Sequence, residues 1–122
     1  MDLDKLLIKL AGNGFIVVLF LMMLTDASFL GALVTALLLS IVAWFLGDRF
    51  LLPRSSNVIA TAADGVLAAM VLWAAARIAP WEMSVPKLIG LVVILGAFEA
   101  LFHFFLQRRD PYYRGEAGRA KA

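Results

Sequence analysis

Glu99 and His103 stand four residues apart, the spacing at which two side chains meet on one face of a helix. A carboxylate beside an imidazole can hold a proton, pass one on, or offer ligands to a metal. A second carboxylate, Asp64, is followed by Gly65 and flanked by Ala60, Ala63 and Ala68. Such small residues let a neighbouring helix approach closely. Lys9 and Asn13, again four apart, add an ammonium and an amide. All five lie within or beside long apolar runs. An ionisable group there costs at least about 2.5–3.5 kcal/mol on insertion scales, so each needs a partner or a function.

The elements that must carry these residues follow from composition. Of 122 residues, 63% are hydrophobic and 16% charged, whereas soluble domains run at about 45–50% and about 25%. A single small domain cannot hide so much apolar surface in its own core, so that surface must face lipid. Four apolar stretches, at about 6–24, 29–46, 58–79 and 88–106, match the roughly 20 residues a helix needs to cross a hydrocarbon core of about 30 Å. Backbone amides in lipid must be paired within their own segment, and no period-two alternation suggests strands. The fold class predicted is all-α, a transmembrane up-down-up-down four-helix bundle over 1–107. Asp26 or Ser28 can cap the second helix and Ser56 or Asn57 the third, while Pro80 and Pro86 bracket the last loop.

Orientation follows from the basic residues. With the N-terminus inside, Lys5, Lys9, Arg49, Arg54, Arg108, Arg109, Arg114, Arg119 and Lys121 all fall on the cytoplasmic side, leaving Arg77 and Lys87 outside. The positive-inside rule then predicts N-in and C-in. Trp81, Tyr112 and Tyr113 stand where interfacial anchors are expected. Residues 108–122 are expected to form a basic, disordered cytoplasmic tail that sets topology. The first helix loosely imitates a signal peptide, but Asp2, Asp4 and Asp26 argue against cleavage. This topology places Lys9, Asn13, Asp64, Glu99 and His103 in one inner layer. His103 would lie roughly 5 Å, Asp64 roughly 9 Å and Glu99 roughly 11 Å from the inner boundary, at 1.5 Å per residue.

The stretch 47–65 is the least generic: Gly47-Asp48, then Leu52-Pro53-Arg54, Asn57, and Ala62-Ala63-Asp64. In this run, and in length and helix spacing, the chain resembles the YndM-like family of small four-helix membrane proteins from spore-forming bacteria. The resemblance implies an uncleaved first helix and a bacterial plasma membrane. It implies no catalytic residue, because that family is a domain of unknown function. Read as an inner loop, the motif Gly47, Asp48, Arg49, Pro53, Arg54 and Asn57 has a second use. Pro53 would stiffen it, and Arg49 with Arg54 could hold an anionic headgroup. Topology alone also accounts for both arginines.

Four readings of the inner layer stand open. It can be a structural clasp in which Lys9 neutralises a carboxylate. It can be a proton or cation relay carried by Asp64 and Glu99 with His103 as the switch. It can be a metal site of Asp64, Glu99 and His103, though the chain has one histidine, no cysteine and no paired Glu-x-x-His spacing. It can be the cleft of a lipid-modifying enzyme. No nucleophile with its base, phosphate loop or nucleic-acid face is present, so no metal, cofactor or nucleic-acid partner is expected. The reading preferred is a non-enzymatic structural or accessory component of the bacterial cell envelope. The alternative is a small proton- or cation-coupled transporter or channel subunit. Partners would be membrane lipids and either a second copy or another membrane protein. Ala32, Ala36 and Ser40 form a small-residue stripe suited to close helix contact, within the chain or in a dimer.

Overall fold

The computed structural model describes residues 2–79 and 81–114. Among these, four helices are long and apolar enough to cross a membrane. The first is Asp2–Leu24. The second runs as one segment over Phe29–Arg54, changing form on the way. It is α-helical over Phe29–Ala43, π-helical over Trp44–Leu51 and α-helical again over Leu52–Arg54. The third is Asn57–Ile78 and the fourth Val85–Arg109. A 3-10 turn, Pro111–Arg114, follows.

Local chemistry explains the helix ends. Ser28, Ser56 and Ser84 each sit in extended backbone and accept an N–H from the first turn, of Gly31, Ile59 and Lys87 respectively. Asp26 is engaged elsewhere. Its Oδ1 accepts the Glu82 N–H at 2.8 Å, tying the two loops at that end together. At the other end Lys5 and Asp110 approach to 3.7 Å, so the two ends of the described chain meet.

The buried face of the first and third helices is narrow, one residue per four. Lys5, Lys9, Asn13, Val17 and Leu21 line it on the first helix, and Ala60, Asp64, Ala68, Leu72 and Ala76 on the third. The stripe Ala32, Ala36 and Ser40 is buried inside the chain. Towards the Asp26–Glu82 end the shared core is aliphatic, built of Val17, Leu21, Leu39, Leu72, Leu91 and Leu95 with small alanines between them. Towards the chain ends it becomes aromatic, with Trp44, Phe102 and Tyr113 around Leu52 and Leu106. Large apolar side chains such as Phe15, Leu30, Val66 and Ile78 point outward, where lipid replaces water.

Three expectations need correction. The stretch holding Gly47, Asp48, Arg49, Pro53 and Arg54 is not a loop but the helical end of the second span, because a wider π turn carries the chain on past Gly47. The basic tail expected from 108 is ordered through 114. Arg108 and Arg109 complete the fourth helix, Pro111 ends it, and the 3-10 turn folds Tyr113 back beneath the helices. Tyr113 is therefore no interfacial anchor, being fully buried. The rest of that tail, 115–122, lies outside the described residues, as does Pro80.

Candidate functional site

The third and fourth helices bring Asp64, Glu99 and His103 against Lys9 of the first. Asp48 joins them from the second. Lys9 Nζ donates to Asp48 Oδ2 at 2.5 Å and to Glu99 Oε2 at 2.7 Å. It also lies 5.4 Å from the centre of the Phe102 ring, a cation–π distance. His103 Nε2 stands 2.6 Å from Asp48 Oδ1. Asp64 Oδ2 is 3.0 Å from the same nitrogen, at ion-pair distance but without hydrogen-bond alignment. Every one of these five side chains is buried.

The hydrogen bonds orient the imidazole. Asn57 Nδ2 donates to the Ala100 carbonyl at 3.1 Å, which turns its Oδ1 towards His103 Nδ1 at 3.0 Å. Thr61 Oγ1 donates to the same Oδ1 and lies 3.1 Å from Nδ1. An amide oxygen can only accept, so Nδ1 carries a hydrogen. Nε2 faces the Asp48 carboxyl group. Both ring nitrogens thus have oxygen partners, and Asp48, Asp64, Glu99 and His103 each bring one ligand-capable atom within 4.8 Å of the others.

This geometry re-sorts the candidate residues. Lys9, Asp64, Glu99 and His103 converge. Asn13, 2% exposed, lines a cavity of about 10 Å³ with Asp64, Glu99, Gly65, Ala68 and Leu95. Asp48 and Asn57, assigned by sequence to a surface loop, belong to the cluster instead. Thr61 is a member that sequence reasoning misses altogether. Asp48 had a legible signal: the four-residue stripe Ala32, Ala36, Ser40 continues through Trp44 to Asp48 and Leu52, all buried. An α-helix drifts by about 40° at each four-residue step. The wider π turn, closed by bonds such as Leu52 N–H to the Gly47 carbonyl, winds the other way and keeps Asp48 on the shared face. Gly47 is needed there, because a Cβ at that position would run into the Asp64 carboxylate.

Arg49 and Arg54 are engaged separately. Arg49 Nη1 reaches Tyr113 Oη at 3.4 Å, and its guanidinium lies 5.2 Å from the Tyr112 ring centre. Arg54 donates to the Phe50 carbonyl and stacks on the Phe50 ring. Pro53 has no N–H to offer the Arg49 carbonyl, which accepts the Tyr112 O–H at 3.0 Å instead. Pro53 thus helps to dock the C-terminal turn. Burial pushes the Tyr113 phenol above its ordinary value, against the opposing pull of Arg49.

Four apolar helices, each giving a charged side chain to one buried cluster, define an integral membrane protein. The chain matches the family described as proteins of unknown function, DUF2512, over residues 1–118, and it belongs to that family. It is similar to the uncharacterized membrane protein YndM of Bacillus subtilis (strain 168), with 33% identity over 94 residues. That match covers 74% of this chain and 52% of YndM, so the chain spans about half the length of this relative. No solved structure matches it.

Proposed function

We propose that the chain is a non-enzymatic structural or accessory component of the bacterial plasma membrane. In this reading it is an up-down-up-down bundle with both ends in the cytoplasm, and its polar cluster is a clasp. The observation that carries this is the pairing at Lys9: one ammonium from the first helix binds carboxylates of the second and fourth at 2.5 and 2.7 Å, all three fully or almost fully buried. In lipid, apolar faces do not drive helices together, so a shared charge network is an efficient way to select neighbours. Buried Leu52, Leu106 and Tyr113 lie between this cluster and the chain ends. A relay working from the cytoplasm would need an aqueous path there.

The second reading, a proton- or cation-coupled transporter or channel subunit, has one specific support: the cluster holds three carboxylates against Lys9 and His103. The two readings part in reconstituted liposomes under a pH or cation gradient. The clasp predicts flux no greater than in protein-free vesicles, and flux abolished by Asp64→Asn or Glu99→Gln would overturn it. The clasp also predicts that Lys9→Met lowers unfolding stability in detergent by about 3–5 kcal/mol, the usual cost of stranding buried partners. A loss below about 1 kcal/mol would contradict it.

A further inference from the structure

Four side chains converge on one point. His103 Nε2 stands 2.6 Å from Asp48 Oδ1, 3.0 Å from Asp64 Oδ2 and 3.5 Å from Glu99 Oε2. These residues come from the second, third and fourth helices, and their ligand-capable atoms all lie within 4.8 Å of one another. None is more than 4% exposed. Asp64 Oδ2 and Glu99 Oε1 have no hydrogen-bond partner among the described residues. Buried acceptors in that state are rare and need a specific cause.

The far side of the imidazole sets what Nε2 can do. Asn57 Oδ1 can only accept, and Thr61 gives its O–H to that same oxygen, so both require a hydrogen on Nδ1. In the neutral ring the Nε2 lone pair then faces three carboxyl oxygens, and positive charge must lie between them. Two protons or one divalent ion would balance three carboxylates against Lys9 equally well, so geometry decides. A proton joins two atoms, whereas a metal ion joins four. We propose that Asp48, Asp64, Glu99 and His103 bind one divalent first-row transition ion, of the zinc or manganese kind, which ties three helices together.

The surroundings fit such an ion. Tetrahedral bonds of about 2.0–2.2 Å hold ligand atoms roughly 3.3–3.6 Å apart, and all three distances from Nε2 are within about 1 Å of that spacing. A ligating histidine usually donates its other N–H to an oxygen, here that of Asn57. Ligating carboxylates are themselves hydrogen-bonded. Lys9 does this, holding Asp48 Oδ2 at 2.5 Å and Glu99 Oε2 at 2.7 Å and leaving each a second oxygen for the ion. The donor set selects the class. Imidazole suits zinc and its neighbours, carboxylate suits manganese, and copper(I) would want a thiolate or thioether. Calcium takes six to eight oxygens and magnesium keeps several waters, which a buried set of four with one nitrogen does not offer.

This inference rests on the cluster being assembled as described, and goes beyond its reading as a clasp. The full chain, tag-free and in detergent, tests it. Stripped with EDTA and dialysed, it is titrated with zinc chloride or manganese chloride while thermal unfolding is followed by tryptophan fluorescence. The expected result is a saturable rise in Tm with at least one of the two, about 5 °C by ten times the midpoint concentration. One equivalent of that metal should stay with the chain through gel filtration. With one histidine and no cysteine, the chain offers a transition ion no other imidazole or thiolate. Asp64→Asn and His103→Gln should each abolish both the rise and the retained metal. Should either variant fail to fold, the native chain alone still decides. Equal Tm with and without zinc and manganese overturns the proposal, and so does an equal rise with magnesium or calcium. A Tm that climbs on acidification in EDTA yet ignores both metals also overturns it, and assigns the cluster to protons. The Lys9→Met and flux measurements are made in EDTA, so the clasp stands or falls separately.

Discussion

At the scale of single residues, the decisive feature is how few atoms stand between a costly burial and a stable one. Lys9 is fully buried, yet its ammonium has two carboxylates and an aromatic face around it. His103 uses both ring nitrogens, with Asn57 and Asp48 at opposite edges. Tyr113 shows the same economy outside the spans. Its phenol holds its proton more tightly folded than unfolded, so it contributes stability below its ordinary pKa of 10.0 and loses it as pH rises through the higher folded value. The chain has two tyrosines. In a Tyr112→Phe variant, ultraviolet titration should therefore show the remaining phenolate forming with a midpoint above about 10, collapsing to about 10 in denaturant. A folded midpoint at or below 10 would contradict the burial of Tyr113. The candidate residues Lys9, Asn13, Asp64, Glu99 and His103 were legible because polar groups inside apolar runs stand out. Asp48 and Asn57 were marked as motif residues but placed in a loop, since Gly47-Asp48-Arg49 reads equally well as a turn and the buried stripe leading to Asp48 was not followed.

At the scale of elements, the π-helical segment Trp44–Leu51 does what an ordinary α-helix would not. It keeps Trp44, Asp48 and Leu52 on one buried face while Arg49 turns towards Tyr112 and Tyr113. Gly47 lies at the closest approach between this segment and the third helix. Gly47→Ala should push the Asp64 carboxylate out of place and destabilise the protein by about 1–3 kcal/mol, the range for overpacked sites. Gly14→Ala serves as the control, because a Cβ there meets nothing within 4 Å. Comparable Tm values for the two variants would sink the argument. Composition alone could not locate the π turn, because its bonding pattern depends on what the face must meet across the bundle.

At the scale of the whole molecule, the two ends differ in kind. One is tied by Asp26 to the Glu82 backbone over an aliphatic core. The other carries the ion pairs, the aromatic layer and the docked C-terminal turn. We expect the second end to face the cytoplasm, as the basic residues imply. The chain has no cysteine, so single substitutions report cleanly. In intact cells a membrane-impermeant maleimide should label Glu82→Cys and spare Ser55→Cys until the membrane is opened. Both positions are exposed. The reverse pattern would invert the topology and move the cluster to the outer leaflet.

The sequence by itself determined that this chain forms four helices long and apolar enough to cross the bilayer. Runs of about 20 apolar residues leave a lipid-bound backbone no other way to pair its amides. It also marked five polar residues as exceptions needing partners, since their burial cost does not depend on which partner is found. Only the tertiary structure decided the partners themselves. That Lys9 bridges Asp48 to Glu99, that His103 sits between Asp48 and Asn57, and that Asn13 meets Asp64 and Glu99 at one small cavity all depend on how four helices are rotated about their axes. Helices that are apolar on nearly every face carry little record of that rotation. It is set by a few charges, and by one glycine small enough to let them meet.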